Sequence, residues 1–296
     1  MMFDLIMIVG PTAVGKTRLS LELAQAFSGE IINGDAMQFY RGLDIGTAKI
    51  KEEEKQGIKH HLLDMLDPHE ETSVVDYQTI VREKIKEITK KNKLPIIVGG
   101  SGLYLSSILF DYKFPGPSRN DDLTKKYEGF TTEMLVEILK KTKPELAKNT
   151  DLANRRRVLR ALEKENDDFQ EEINPYYPNV LVIGLDLERE KLYERIDNRV
   201  MDMVNEGLLK EVKSLYDQGI FSQATMAIGY KELFPYFRGE TTLEEALVLI
   251  KRNSRRYAKR QLTWFRNRMN AVWFKVDLEN FDKTIQEVKE YIKKRS

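Results

Sequence analysis

The residues with the clearest chemical potential are Gly10-Pro11-Thr12-Ala13-Val14-Gly15-Lys16-Thr17, which match the spacing G-x-x-x-x-G-K-[ST]. Glycines let such a backbone curl so that its N–H groups converge on phosphate oxygens. The positive end of a following helix faces the same point, and Lys16 adds a full charge. Thr17 offers its hydroxyl to a divalent cation, so Mg2+ is the expected cofactor. A nucleoside triphosphatase or kinase also needs a carboxylate at the end of a buried strand to help hold Mg2+. Here the apolar segment Leu94–Val98 ends in glycines, and only Glu30–Gly34 runs directly into an acid, Asp35. That weighs against triphosphate hydrolysis without removing it.

A phosphate loop works only where a strand delivers it and a helix receives it. The apolar run Leu5–Val9 precedes the loop and the amphipathic TRLSLELAQAF follows it. Glu30–Gly34 and Leu94–Val98 read as further buried strands, with a helical period over 74–91 between them. Strands alternating with helices predict an α/β fold, a parallel sheet flanked by helices with ligands at the carboxyl ends of its strands. After Leu109 the pattern changes. FPGPSRNDD (114–122) is rich in turn formers, 123–165 is charged and helical in period, and a strand pattern returns at Val180–Leu187. The predicted organisation is a core of residues 1–115 and 176–296 with a helical insertion domain at 116–175. The C-terminal part is predicted to be largely helical and to end in a basic amphipathic tail helix.

Composition narrows the chemistry further. The chain is 41% hydrophobic and 32% charged, as a folded globular protein is, and it has no cysteine and three histidines, so any metal must be held mainly by oxygen. No apolar run approaches the ~20 residues of a membrane span, and the N-terminus lacks the pattern of a secretion signal, so a cytoplasmic protein is expected; a monomer is the expected assembly. Lys+Arg and Asp+Glu number 48 and 47, yet Lys251–Arg268 (KRNSRRYAKRQLTWFRNR) holds eight basic residues and no acid. Such a run is either a solvated helix face or a surface for nucleic-acid phosphates.

Seven blocks taken in order carry a resemblance: GPTAVGKT (10–17), GDAMQFYRGLDIGTAK (34–49), HHLLD (60–64), PIIVGGSGLY (95–104), RRVLRALE (156–163), IGYKELFPYFRGE (228–240) and AKRQLTWFRN (258–267). Together they span nearly the whole chain, and it resembles the tRNA dimethylallyltransferase family, bacterial type. The resemblance implies a fold like that of P-loop NTPases, whose loop holds the diphosphate of dimethylallyl diphosphate without consuming ATP. The acceptor it implies is the exocyclic amine of the adenine just 3′ of the anticodon in tRNA. A base already in a loop is cheaper to extrude than one in a duplex.

By itself Asp35 is equally a turn or cap residue; the resemblance assigns it as the general base for the adenine amine. The resemblance likewise places Thr12 and Arg199 on the leaving diphosphate, Arg199 through the match of LYERIDNRV to the family's LYxRIxxRV. The spacing alone puts Arg195 and Arg199 on one helix face, where arginines usually pair with nearby acids. The tRNA contacts expected are Asp35, Ala36, Met37, Gln38, Ser101, Arg156, Arg157, Arg160, Gly229, Tyr230, Arg256 and Arg260, with the insertion domain against the anticodon arm. For Ser101 a hydroxyl stabilising its turn is equally consistent with the residues. Tyr257, Trp264 and Phe265 lie among the basic residues as base-stacking candidates or as a core stripe, whereas His60 and His61 read as structural. The chain departs from the family pattern at Ala36 (usually Ser), Ser101 (usually Thr) and Asn149-Thr150 (usually His-Pro). A nucleotide kinase or ATPase, a prenyltransferase acting on free AMP or ADP, and a non-catalytic RNA-binding protein are the alternatives.

Overall fold

The computed structural model describes residues 3–112, 126–163 and 174–295; the turn-rich segment after Tyr112 and the segment after Glu163 lie largely outside them. Contacts divide the chain into two compact units, residues 1–110 with 175–296, and residues 111–174.

The larger unit is built on one sheet of six strands: β1 (Leu5–Val9), β2 (Gly29–Asn33), β3 (His60–His61), β4 (Leu94–Val98), β5 (Val180–Asp186) and β6 (Val272–Lys275), in the order β3-β2-β4-β1-β5-β6. Every pairing is parallel. A parallel sheet is covered on both faces, which is why its strands read as continuous apolar runs and not as alternating ones. In β1 all residues are buried, but they divide by the two-residue period: Ile6 and Ile8 face one core, Leu5, Met7 and Val9 the other.

On the Ile6 face pack α1 (Lys16–Ala26) through Leu19 and Leu23, the start of α7 (Arg189–Glu206) through Leu192 and Ile196, and the last helix, α11 (Phe281–Lys294), through Ile285, Val288 and Ile292. The opposite face receives α2 (Val74–Lys90) through Tyr77, Val81, Ile85 and Ile88, α3 (Gly102–Leu109) through Leu105 and Ile108, and Phe265 of α10 (Leu243–Arg268). Helices α2 and α10 start where capping boxes place them, Ser73 with Asp76 and Thr242 with Glu245. A third core is formed by α8 (Leu208–Asp217), the first turns of α10, the short α9 (Phe234–Phe237), and Tyr40, Leu43 and Tyr230.

The smaller unit contains α4 (Thr132–Thr142), α5 (Pro144–Asn149) and α6 (Arg155–Glu163), closed on Leu135, Leu139, Val158 and Leu162. The strands of chain leading to and from it are paired: Phe110 bridges Pro175, and the Tyr176 N–H donates to the Leu109 carbonyl at 2.9 Å.

Two features differ from the sequence expectation. The edge strands β3 and β6 were absent from it, being two and four residues long and only partly buried, too short for a periodicity to register. The basic helix is not the tail: α10 is followed by β6 and α11, which returns to cover the Ile6 face. Among the described residues no helix is long and apolar enough to cross a membrane.

Candidate active site

Four strand ends meet at the carboxyl edge of the sheet. β1 runs into the Gly10–Thr17 loop, and Gly15, left-handed at φ 106°, starts α1. The Lys16 ammonium donates to the carbonyls of Gly10 (3.0 Å) and Pro11 (2.7 Å). Burial lowers its pKa to about 7, the nearby Arg199 guanidinium adds to the drop, and Asp35 opposes it. The hydroxyls of Thr12 and Thr17 have no partner among the described residues, and Thr17 is exposed.

Asp35 follows β2 and is held through its backbone by Asn33, whose side-chain oxygen accepts the Asp35 N–H (2.9 Å) and whose amide donates to the carbonyls of Asp35 (2.9 Å) and Leu62 (3.0 Å). One carboxylate oxygen accepts the Met37 N–H at 3.1 Å, capping the turn Ala36–Phe39. Burial pushes the Asp35 carboxyl up, while the Met37 N–H, Lys16 and Arg199 pull it back down. Capping and chemistry are therefore compatible: the cap uses one oxygen and leaves the other.

From β5 the chain enters α7, whose Arg199 is half-buried with no hydrogen-bond or ion-pair partner among the described residues. Its pKa is lowered by burial; Asp35 counters this and Arg195 adds to it. Arg195, one turn earlier, donates Nε to the Ala13 carbonyl at 2.9 Å and so reaches the tip of the phosphate loop. Lys16, Arg199 and Asp35 thus lie in one another's fields, two cations against one carboxylate, at a loop of converging amides. Such a set suits a polyanion beside a group that must lose a proton.

After β4, the Ser101 hydroxyl accepts the Ala36 N–H at 3.2 Å, tying its turn to that of Asp35. The Tyr257 hydroxyl from α10 reaches the Gly100 carbonyl at 3.4 Å; burial, and then the charge of Asp35, raise its pKa. Gln261, also on α10, is buried between the phosphate loop and the β4 turn. The sequence pointed to neither Gln261 nor Arg195 as a site residue. A polar residue four positions after Tyr257 in a charged helix was the available signal for Gln261.

Several expected contacts require correction. Tyr230 is fully buried: its hydroxyl donates to Glu211 at 2.5 Å and its ring packs over Gly46, so it is a core residue with no surface for RNA. Gly229 is buried too, its N–H given to Glu232 at 2.9 Å, and Ala36 is buried. Phe265 is fully buried and Trp264 donates to the Ser106 hydroxyl at 3.0 Å, which makes both packing residues. Met37 is half-buried at the margin of two cores. The Gln38 amide donates to the carbonyls of Thr47 (3.1 Å) and Ala48 (3.4 Å), and its side-chain oxygen has no partner among the described residues.

The basic run on α10 is opposed by acids from other elements at two points, Arg255 by Asp197 (2.5 Å) and Arg266 by Asp186 (2.7 Å). Arg256 and Lys259 are exposed without ion-pair partners among the described residues, and exposed Arg260 lies 5.7 Å from the centre of the Tyr257 ring. In the smaller unit Arg156 is exposed and without a partner among the described residues, Arg157 pairs with Asp151 (3.2 Å) and Arg160 with Glu163 (3.3 Å). His61 pairs with buried Glu30 at 2.7 Å and His60 with the Ile58 carbonyl at 2.9 Å, so both are structural.

The family model described as IPP transferase matches residues 38–268, well over half of the chain. A tRNA dimethylallyltransferase of Anoxybacillus flavithermus is 50% identical, covering 97% of this chain and 95% of its own length; one of Bacillus licheniformis is 47% identical over 97% and 96%. Among solved structures, the tRNA isopentenylpyrophosphate transferase of Bacillus halodurans superposes with a TM-score of 0.75 at 45% identity, covering 98% of this chain and 96% of the other. A eukaryotic dimethylallyltransferase acting on tRNA gives 0.84 at 29% identity, over 99% of this chain and 80% of the other. A phosphate loop set against a lone carboxylate, over a sheet shared with these enzymes, leads to one conclusion: the chain belongs to the IPP transferase family of tRNA dimethylallyltransferases.

Proposed function

We propose that this chain transfers a dimethylallyl group from dimethylallyl diphosphate to N6 of the adenine 3′ of the anticodon in tRNA, releasing diphosphate. The observation that carries this reading is the Asp35 carboxylate, capped at one oxygen by the Met37 N–H, lying in the fields of Lys16 and Arg199 beside the Gly10–Thr17 loop. An adenine amine is a weak nucleophile because its lone pair is delocalised into the ring. As the bond from N6 to the allylic carbon forms, the bond from that carbon to the diphosphate oxygen breaks, its electron pair staying with diphosphate, and the N6 proton passes to the Asp35 carboxylate. Burial makes Asp35 a stronger base than a solvated carboxylate, and the two cations keep it ionised.

Charge that builds on the departing oxygen is met by Lys16, Arg199, the Thr12 hydroxyl and the amides of the loop, a stabilisation greater in the transition state than in the bound donor. Mg2+ fits this site: Thr17 offers an exposed hydroxyl, and the diphosphate and water would supply the other oxygens that Mg2+ prefers. When bound there it would supply positive charge against the diphosphate. Arg256 and Arg260 on α10, and Arg156, Arg157 and Arg160 on α6, are the proposed phosphate contacts to the anticodon arm. Ser101 and Gln38 are the proposed contacts to the extruded nucleotide.

Incubation with labelled dimethylallyl diphosphate, Mg2+ and unmodified tRNA tests this reading. Label is expected in RNA and not in free AMP or ADP. Turnover of ATP in the absence of RNA, with no label transferred, would replace it with the kinase or ATPase alternative.

A further inference from the structure

Gln261 is the one buried polar side chain of α10, at 4% exposure, on a helix otherwise charged along this stretch. Its two amide atoms do different work. The oxygen accepts the Thr12 N–H at 2.9 Å, and the nitrogen donates to the Gly100 carbonyl at 3.0 Å. The fit is close: a Cβ on Gly100 would lie 2.1 Å from the Gln261 nitrogen. The phosphate loop and the turn that carries Ser101 are therefore joined through a single amide, with both of its hydrogen-bonding ends used.

This has a consequence for Thr12. In a phosphate loop the backbone N–H groups are the anion ligands, but the Thr12 N–H is bonded away from that role. Its hydroxyl has no partner among the described residues.

We propose that Gln261 is a positioning residue of the donor site, which withdraws the Thr12 N–H from the diphosphate-binding set and so presents the Thr12 hydroxyl to the departing oxygen. Resting on the transferase reading above, this divides the loop into amides from Ala13 to Thr17 that bind the diphosphate and one hydroxyl that acts as the bond to carbon breaks. A donor aimed at the breaking bond raises turnover, whereas one more amide on the ground-state diphosphate only tightens binding.

The division gives an opposed pair of effects to measure. Gln261→Met keeps the volume and removes both hydrogen bonds, freeing the Thr12 N–H. The expected result is a fall in kcat for prenyl transfer of roughly 10- to 100-fold, with tRNA affinity unchanged and affinity for inorganic pyrophosphate with Mg2+, measured by calorimetry, unchanged or tighter. In a double-mutant cycle Gln261→Met adds little to the loss caused by Thr12→Ala, since both remove the same hydroxyl from its place. If turnover and pyrophosphate affinity fall in parallel, or the two substitutions act additively, Gln261 is a packing residue and the proposal is overturned. Should Gln261→Met fold poorly, Gln261→Glu gives a second measurement: it keeps the acceptor for Thr12 and sets a carboxylate against the Gly100 carbonyl, and it is expected to lower kcat less than Thr12→Ala; a loss as large as that of Thr12→Ala counts against the proposal. If the wild-type protein labels no RNA, the transferase reading fails, while the pyrophosphate titrations still report on Gln261.

Discussion

Replacing Glu211 with alanine should loosen the segment that carries Asp35 and Gln38, although Glu211 is on α8. Its carboxylate is the common acceptor for a whole turn: one oxygen takes the N–H groups of Asp44 (2.9 Å) and Ile45 (2.8 Å), the other the Gly46 N–H (3.0 Å) and the Tyr230 hydroxyl (2.5 Å). These four bonds are not equal. Asp44 is solvent-exposed and its amide turns to water at little cost, whereas the amides of Ile45 and Gly46 are partly covered and the Tyr230 hydroxyl is in the core. A buried donor left without an acceptor costs about 1–3 kcal/mol, so Glu211→Ala is expected to destabilise the larger unit by about 3–5 kcal/mol. At roughly 2–4 °C per kcal/mol for a unit of this size, the melting temperature should fall by about 6–20 °C. The same turn supplies the Thr47 carbonyl that holds Gln38, and Asp44 pairs with buried Lys49 at 2.6 Å. Turnover should therefore drop as well, by about 10-fold, at temperatures where the variant is still folded. Tyr230→Phe removes one donor and leaves the carboxylate its three amides; it should cost only about 1–2 kcal/mol. Thermal melts followed by circular dichroism, with initial rates at a temperature below both transitions, decide the matter. A Glu211→Ala variant that melts within a few degrees of wild type would mean that water replaces the carboxylate freely, and the reasoning would fail.

Asp35→Asn should lower the rate of prenyl transfer by about 10²- to 10⁴-fold, the usual worth of a general base, while tRNA affinity measured by filter binding changes little; equal loss of both would assign Asp35 to docking. Because burial raises the Asp35 carboxyl, the acid limb of kcat/KM should lie above the ordinary carboxylate range, with rate lost as pH falls and the base is protonated. Lys16 titrates at about 7 in the free protein, so at pH 8 the amine is mostly neutral and diphosphate binding should draw in a proton. Calorimetry in buffers of different ionisation enthalpy would show that uptake, and its absence at pH 8 would count against a depressed lysine. Affinity for tRNA should fall steeply with salt, and Arg256→Ala and Arg260→Ala should each reduce the slope of log K against log salt by about one; an unchanged slope would turn that face of α10 away from RNA.

Much of the fold was legible because a buried parallel sheet leaves a strong record. Runs such as Leu5–Val9 and Leu94–Val98 are apolar and end directly in glycine, and each is a strand as expected. Edge strands leave no such record: β3 and β6 gain their place from neighbours already in the sheet, through pairings such as Ile32 with His61 and Leu185 with Phe274. The phosphate loop was legible because its chemistry depends on backbone shape, which glycine spacing encodes directly. Tyr230 and Gln261 were not, for opposite reasons. Tyr230 was expected at the RNA only through the resemblance, and the third core reveals that its ring covers Gly46. Gln261 is polar within a basic helix and reads as surface until tertiary contact places it between Thr12 and Gly100. Nor does the charge run on α10 show by itself which of its arginines are already opposed, since Asp186 and Asp197, which pair with Arg266 and Arg255, are far away in sequence.

The end of β4 explains why this phosphate loop lacks the acid that a triphosphatase would place there. Hydrolysis of a triphosphate is attack at phosphorus, and a metal held by a strand-end carboxylate must organise the phosphoryl group itself. Transfer of an allyl group is attack at carbon, with the diphosphate only departing, so the demand moves from a precisely held metal to cations around the leaving group and a base opposite. In the proposed mechanism Lys16 and Arg199 answer the first demand and Asp35, displaced to the end of β2, the second. That releases the end of β4 for another use. Added Cβ atoms on Gly100 and Gly102 would lie 2.1 Å and 2.5 Å from the side chains of Gln261 and Trp264, so α10 seats directly on the turn where an acid would otherwise project. The helix carrying Arg256 and Arg260 is thereby anchored to the phosphate loop itself, an arrangement that a carboxylate and its hydrated metal at that position would exclude.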